Sequence, residues 1–192
     1  MFDAYLDIET TGLSCLYADI TVIGIYLVNG REGKLVQLVG KQVTSDNLLE
    51  SLDGVNKIYT YNGSRFDLPF THGSLGIDLS DVFAHHDLMY DCWRCNLKGG
   101  FKAVERQLGI PRQLKGMNGW DAVILWWKYQ NYGDQNALAL LLQYNKEDVM
   151  NLKVLREKLH ERERVLVETD GELIGECPVS FHIIPSALTI VV

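Results

Sequence analysis

The stretch YLDIETTGL at residues 5–13 places two carboxylates inside an apolar run and closes with a turn sequence. Asp7 and Glu9 are two residues apart, and successive side chains of a strand point to opposite faces of its sheet. If the run is a strand, both carboxylates therefore project from the same face. Carboxylates held side by side repel each other unless a cation lies between them. The stretch predicts a strand that opens the fold and carries part of a metal site.

Two further segments contribute candidate ligands. Asp67 ends YNGSRFD at residues 61–67, and Tyr144 precedes Asp148 by four residues in a segment predicted to be helical. Residues four apart on a helix share a face. Hard divalent cations such as Mg²⁺ and Mn²⁺ prefer oxygen ligands, and converging carboxylates are the usual protein contribution to their sites. The sequence thus predicts a metal site made from four carboxylates and a tyrosine: Asp7, Glu9, Asp67, Asp148 and Tyr144.

The order of predicted elements indicates an α/β domain. Apolar strands that open the chain as an antiparallel meander are predicted at residues 2–9, 19–28 and 34–39. A fourth strand is predicted at 57–61, and helices at 45–52, 65–75, 101–108, 120–129 and 135–163. The last of these is either one long helix or two consecutive ones. The alternation of strands and helices after the meander is what α/β folds require.

The quoted motifs resemble those of the DEDD 3′-to-5′ exonucleases, in the subclass whose third motif carries tyrosine, which includes the proofreading domains of DNA polymerases. The motifs are DIETTGL at residues 7–13, YN through FDLPF at 61–70 and YNKED at 144–148, in the family's order. The segment at 87–110 is also similar to a stand-alone bacterial and archaeal branch of RNase H-like proteins. The resemblance implies an α/β fold with an RNase H-like mixed five-stranded sheet, three antiparallel strands followed by parallel ones, flanked by helices.

The resemblance also implies a division of roles at the site. Two divalent cations, Mg²⁺ or Mn²⁺, would bind about 4 Å apart, with Asp7 bridging them. Glu9 and Asp148 would complete the site that activates water, and Asp67 would support the second cation, partly through water. Tyr144 would orient the attacking water. The product would be a nucleoside 5′-monophosphate.

A second set of residues is predicted to contact substrate. In the family, the residues that correspond to TTGL at 10–13 contact the terminal nucleotide, so Leu13 would wedge against the last base; core packing is its alternative. Basic side chains between 92 and 115 would contact phosphates, with a solvated basic face as the alternative. The predicted substrate-binding residues are Thr10, Thr11, Gly12, Leu13, Asn62, Lys98, Lys102 and Arg106. The tryptophans at 120, 126 and 127 are expected to be mostly core, although one exposed ring could stack on a single-stranded base.

Composition limits the class of protein. The chain has 192 residues, 47% of them hydrophobic, which suits one well-packed core. A net charge of −7 argues against a protein that coats nucleic acid non-specifically, but not against a nuclease with an acidic metal site. We find no leader pattern, no membrane-length apolar stretch and no secreted disulfide pattern, so we expect a cytoplasmic protein without a membrane partner.

The expected activity is the release of mononucleotides from the 3′ ends of single-stranded DNA or RNA by a domain at residues 1–164. A β-rich extension would occupy 165–192, with a hairpin turn at 169–171 and an apolar strand at 187–192 that joins either a sheet or a second subunit; in the second case the protein would be a homodimer. Two alternatives stay open. One is an endonuclease with the same metals; the other is a non-catalytic module that binds nucleic-acid ends beside a polymerase or helicase partner. The motifs do not distinguish ribose from deoxyribose.

Overall fold

A computed structural model of the chain describes residues 2–163, 166–169 and 172–176. The apolar strand predicted at 187–192 and the centre of the turn predicted at 169–171 lie outside these residues. Two short strands, β6 (Leu166–Thr169) and β7 (Glu172–Glu176), pair antiparallel in a small sheet of their own, as the hairpin prediction requires. In the described part of the chain, no helix is both long and apolar enough to cross a membrane.

The main sheet consists of β1 (Phe2–Thr10), β2 (Ile20–Asn29), β3 (Glu32–Val39), β4 (Val55–Thr60) and β5 (Ala84–Asp87). Its strand order is β3-β2-β1-β4-β5. β1, β2 and β3 form an antiparallel meander, and β4 and β5 add to the other edge of β1 in parallel. The predicted mixed sheet of three antiparallel strands followed by parallel ones is therefore confirmed.

The helices are α1 (Ser45–Ser51), α2 (Asp67–Leu75), α3 (Leu79–Val82), α4 (Leu88–Arg94), α5 (Phe101–Leu108), α6 (Gly119–Tyr132) and α7 (Gln135–Glu163). α7 is one continuous helix, which decides between the two predicted alternatives. α2 begins at Asp67 and not at 65, because the chain first makes a turn in which Asn62 adopts a left-handed φ of 64°. The elements α3, β5 and α4 have only four, four and seven residues and are too short for periodicity to predict.

Alternation along β1 sends its side chains to opposite faces of the sheet. Ile8 lies in the core on one face. Tyr5 lies on the other face, in a core that includes Leu155 of α7. Asp7 and Glu9 continue the row begun by Tyr5. The acidic residues therefore project between β1 and α7, while the opposite face of the same strand holds part of the core.

Candidate metal centre and cleft

Carboxylates from β1 and α7 meet near the end of β1. Oxygen atoms of Asp7, Glu9 and Asp148 all lie within 4.8 Å of one another. Alternate positions of β1 supply the first two, and the middle of α7 supplies the third. Glu9 and Asp148 are buried, and Asp7 is partly exposed. Three of the predicted ligands thus share one small volume.

Asp67 lines the same cleft but lies outside the three-carboxylate cluster. Its Oδ1 accepts a hydrogen bond from the backbone N–H of Ile8 at 3.2 Å. The parallel pairing of β1 with β4 extends only to Tyr5 and Tyr59. Asp67 therefore supplies an acceptor for a β1 N–H beyond the end of that ladder, which fixes its carboxylate against β1.

Asn145 holds Asp7 from the side of α7. Its Nδ2 donates to Asp7 Oδ2 at 3.2 Å and to the Asp7 carbonyl at 3.3 Å, and its Oδ1 accepts from Gln37 Nε2 at 3.0 Å. The Asn145 side chain is fully buried. Gly24, which pairs with Asp7 across the sheet, leaves the space that Asn145 fills. The motif at 144–148 contains Asn145, yet no pattern in the sequence indicates this supporting role.

Arg112 holds the carboxylate of Asp148. Its Nη2 donates to Asp148 Oδ1 and, at 3.0 Å, to Glu105 Oε1, while its Nε donates to Glu105 Oε2 at 2.9 Å. Asn151 Nδ2 also donates to Glu105 Oε1, at 2.7 Å. The Arg112 and Glu105 side chains are only 9% and 3% exposed. Sequence reasoning places Arg112 merely in a basic stretch, because nothing local pairs it with Asp148.

Lys102 contacts the tyrosine of the third motif. Its Nζ donates to the Tyr144 hydroxyl and, at 2.7 Å, to the carbonyl of Met117, and it lies 4.0 Å from the Tyr144 ring centroid. Because the Tyr144 oxygen accepts from Lys102, its own O–H remains available to donate. Lys98 and Arg106, predicted with Lys102 to bind phosphates, are exposed and lie outside the residues that line the cleft. Phosphate binding by these three residues stays a prediction.

Burial and mutual repulsion raise the pKa values of the acidic residues. Burial raises the pKa of Asp7 well above its ordinary value, and the neighbouring charges of Asp148 and Glu9 add to this effect. Burial, followed by the charge of Asp148, raises the pKa of Glu9 well above its ordinary value. The pKa of Asp67 rises to about 7, chiefly through burial. Burial also raises the pKa of Asp148, although Arg112 opposes the rise.

The side chains present fit a hard divalent cation. Glu9 Oε1 is buried and meets no hydrogen-bond donor among the described residues. Such an oxygen destabilises the fold unless a ligand satisfies it. Asn145 engages one oxygen of Asp7, and Arg112 one oxygen of Asp148, so each carboxylate retains a second oxygen. A donor set made only of carboxylates suits Mg²⁺ or Mn²⁺ better than softer metals.

An open cleft of about 480 Å³ lies over the carboxylates. Thr10, Gly12, Leu13 and Asn62, all predicted to bind substrate, line it. Thr11 lines an adjoining depression, and Lys102 another. Leu13 is 90% exposed, so its alternative interpretation as core packing is wrong. Its predicted contact with a terminal base is consistent with this exposure and stays a prediction.

Asp87 organises the loop that leads to Asp67. Its Oδ1 accepts from the backbone N–H of Asn62 at 2.8 Å, and its Oδ2 from that of Ser64 at 3.0 Å. Its Oδ1 also accepts from the N–H of Met89, which caps α4. Asp87 is buried, yet its oxygens accept from backbone N–H groups and the Ser64 hydroxyl, and Asp87 is not part of the carboxylate cluster. It fixes the left-handed turn at Asn62, and through that turn the start of α2.

The three α6 tryptophans differ in burial. Trp126 is 9% exposed, whereas Trp120 is 69% exposed and Trp127 is 45% exposed. The expectation that they are mostly core is therefore wrong for two of the three. At about 100° per residue, positions 120 and 127 share a helix face, whereas position 126 is rotated from them by about 100° to 120°. Only the face that carries Trp126 packs against the sheet and α7.

Comparisons with known proteins agree with this fold. A sequence model described as the RNase H superfamily matches residues 4–160. Among solved structures, a family B DNA polymerase from the hyperthermophilic archaeon Pyrobaculum calidifontis is similar, with a TM-score of 0.63 and 17% identity over 83% of this chain and 24% of the polymerase. A nuclease solved in its apo form is similar with a TM-score of 0.55 and 21% identity, over 83% of this chain and 72% of that protein. No curated protein matches.

At these identities the two structures show a shared fold. The chain spans about a quarter of the polymerase's length and most of the nuclease's length. The alignment with only part of the polymerase indicates that the likeness is to one region of that larger protein.

Proposed function

The chain belongs to the RNase H superfamily, and from that premise we propose that it is a metal-dependent 3′-to-5′ exonuclease of the tyrosine-bearing DEDD type, acting on single-stranded DNA or RNA. The observation that carries the proposal is the convergence of Asp7, Glu9 and Asp148 within 4.8 Å, beside a buried Glu9 oxygen that no described donor satisfies. The 3′ polarity rests on the resemblance of the three motifs.

The carboxylates would hold two divalent cations. Bound cations of this kind stabilise charge on a scissile phosphate and lower the pKa of a coordinated water. Asp7, Glu9 and Asp148 together offer the oxygens for one cation. Asp67, which lines the same cleft, offers its second carboxylate oxygen, since Ile8 engages Oδ1. Asp7, whose Oδ2 accepts a hydrogen bond from Asn145, would contribute to both cation sites in this proposal.

Tyr144 is suited to orient a water molecule. Burial, followed by the charge of Asp148, raises the pKa of its hydroxyl above the ordinary value, so the group stays protonated at neutral pH. Lys102 donates to the Tyr144 oxygen, which turns the O–H proton away from Lys102. That proton can then be donated to the oxygen of an attacking water. Tyr144 therefore acts by positioning and does not need to accept a proton.

Arg112 and Asn145 would position the ligands without touching the substrate. Each is held at its far side, Arg112 by Glu105 and Asn145 by Gln37. A ligand oxygen held in this way has little freedom to leave the site, and preorganised ligands contribute strongly to metal affinity. The buried supports therefore favour a site whose carboxylates are arranged before the metal binds.

The test uses single-stranded DNA and RNA oligonucleotides labelled at the 3′ end, with Mn²⁺ or Mg²⁺. The protein should release labelled mononucleotides, and Asp7→Asn or Asp148→Asn should abolish the release. Asp53→Asn is the matched control, because Asp53 is an exposed carboxylate outside the cleft. Persistent activity in both site variants would overturn the proposal.

Two further results would reassign the protein. Cleavage of a circular single strand, which has no end, would show an endonuclease. Binding to 3′ ends that persists in EDTA, without turnover in either metal, would show a non-catalytic module. A 3′-phosphate block that stops all cleavage of linear substrates would support the exonuclease.

A further inference from the structure

One face of α6 exposes aromatic side chains beside the cleft. Positions 120, 124, 127 and 131 recur at intervals of four, three and four residues, which places them on one helix face. Trp120, Ile124 and Trp127 are 69%, 40% and 45% exposed, and Tyr132 at the end of the helix is 84% exposed. Side chains of this size are usually buried. Their joint exposure indicates a ligand-binding surface.

This α6 face continues the cleft that holds the carboxylates. A depression of about 390 Å³ lies along it. Its lining residues are Thr11, Trp120, Val123, Ile124, Trp127, Lys128, Asn131 and Tyr132. Trp120 and Val123 also line the acidic cleft. A flexible ligand that enters the cleft can therefore extend along α6 without leaving the protein surface.

The chemistry of the depression suits unpaired bases. Exposed aromatic rings bind bases by stacking, and a neighbouring cation attracts the phosphates. Lys128 supplies a cation, Asn131 can form hydrogen bonds, and none of the described lining residues is acidic. The depression thus lacks the negative charge of the carboxylate cluster, which would repel a phosphodiester chain in the absence of metal. A double helix would hide the base faces, so the ligand has to be single-stranded.

The length of the face matches a few nucleotides. Trp120 and Trp127 are seven residues apart, which corresponds to about 10 Å along the helix axis. Stacked nucleotides advance about 3.4 Å each, so this distance spans about three of them.

We propose that the α6 face binds the nucleotides upstream of the 3′ end, with a base stacked on Trp127 while the terminal nucleotide occupies the cleft. The inference rests on the proposed function, since it requires the 3′ end to lie at the carboxylates. Binding along α6 would make the efficiency of cleavage depend on the length of the substrate. Substrates too short to reach Trp127 forgo the stacking and are cleaved less efficiently.

The test compares a dinucleotide with an octanucleotide in the wild-type protein and in Trp127→Ala, Trp127→Phe and Phe2→Ala. Phe2 is a partly exposed aromatic residue at the opposite end of β1 from the carboxylates, which makes Phe2→Ala the matched control. Trp127→Ala should lower kcat/KM about tenfold for the octanucleotide, the loss expected for one stacked base. It should leave kcat/KM for the dinucleotide unchanged. Trp127→Phe should restore most of the loss.

A binding measurement separates the two proposals. In an Asp7→Asn background, an octanucleotide should quench tryptophan fluorescence and Trp127→Ala should weaken its binding about tenfold. If the protein cleaves no oligonucleotide in any metal, the proposed function fails. If it cleaves both lengths and Trp127→Ala changes neither, or changes both equally, the α6 proposal fails and the nuclease remains. Concentration-dependent dimers that Trp127→Ala abolishes, with unchanged oligonucleotide binding, would assign the face to a second copy of the chain.

Discussion

Gly24 of β2 and Asn145 of α7 lie so close that a methyl group on Gly24 would sit 2.1 Å from Asn145 Oδ1. Real Cβ atoms do not approach a heavy atom this closely, so any side chain at position 24 must displace Asn145. Asn145 is also the residue that donates to the Asp7 carboxylate. The packing of α7 on the sheet and the arrangement of the metal ligands therefore depend on the same glycine.

Gly24→Ala should destabilise the protein by about 1–3 kcal/mol, as overpacking of a filled core does. It should also weaken Mn²⁺ binding, because the displaced Asn145 releases Asp7. Urea unfolding and calorimetric Mn²⁺ titration measure the two effects. In an Asn145→Ala background the clash is absent, so the same substitution should cost much less. If Gly24→Ala lowers the free energy of unfolding equally in the wild-type and Asn145→Ala backgrounds, the contact between Gly24 and Asn145 is contradicted.

Lys102→Met should lower kcat by about tenfold to a hundredfold, since the Tyr144 hydroxyl loses a charged hydrogen-bond partner worth roughly 1.5–3 kcal/mol. The salt dependence of oligonucleotide binding should not change, because Lys102 is occupied by Tyr144 and Met117. Lys98→Met is the comparison. If Lys98 contacts a phosphate, its loss should reduce the salt slope by about 0.7. A reduced slope in Lys102→Met would instead favour direct phosphate binding by Lys102.

Arg112→Met should destabilise the protein by about 3–5 kcal/mol, because it leaves the buried carboxylates of Glu105 and Asp148 without their cation. Adding Glu105→Gln should recover part of the loss, since Asn151 can still donate to the amide oxygen. Chemical denaturation in EDTA measures both. Arg94→Met is the control. The Arg94 side chain is 65% exposed, and its partner Asp91 also pairs with His86. Loss of Arg94 should therefore lower the free energy of unfolding by less than about 1 kcal/mol.

The metal-free protein should lose stability as pH rises from about 4 to about 7. The folded-state pKa values of Asp7, Glu9 and Asp67 lie above their ordinary values, and that of Asp67 is about 7. In this range the folded state therefore binds more protons than the unfolded chain, and their removal destabilises it. Mn²⁺ should reverse the fall near neutral pH, because the cation replaces the protons.

Melting temperatures in EDTA and in Mn²⁺ across this range check the expectation. In EDTA, Asp67→Asn should make the melting temperature fall less steeply with rising pH, because one group with a raised pKa is removed. A melting temperature in EDTA that climbs between about pH 5 and pH 7 would have the wrong sign for buried, repelling carboxylates.

Local periodicity predicts the parts of the site that lie within single elements. Asp7 and Glu9 share a face because a strand alternates, and Tyr144 and Asp148 share one because a helix repeats near four residues. The same reasoning predicts the buried side of α7, where Val149, Leu152, Leu155 and Leu159 are all buried as expected. The mixed sheet follows from the meander and the family resemblance.

Contacts between elements escape such reasoning. Lys102 meets Tyr144 across 42 residues and Arg112 meets Asp148 across 36, so no local pattern links either pair. The strand β5 is missed because AHHD is short and polar at the edge of the sheet. The sequence allows for one exposed tryptophan ring but does not indicate that both Trp120 and Trp127 are exposed, because only the finished packing shows which face of α6 meets the core.

The single 29-residue helix α7 has a consequence for how substrate preference could diverge among related proteins. Tyr144 and Asp148 lie in its middle, and the turns that follow them are anchored in the core by Leu152 and Leu155. One wall of the cleft therefore tolerates little change in sequence. Exposed residues that line the same cleft, such as Leu13 and Trp120, can vary without disturbing the ligands. New substrate preferences can therefore arise at these exposed positions while the chemistry is inherited intact.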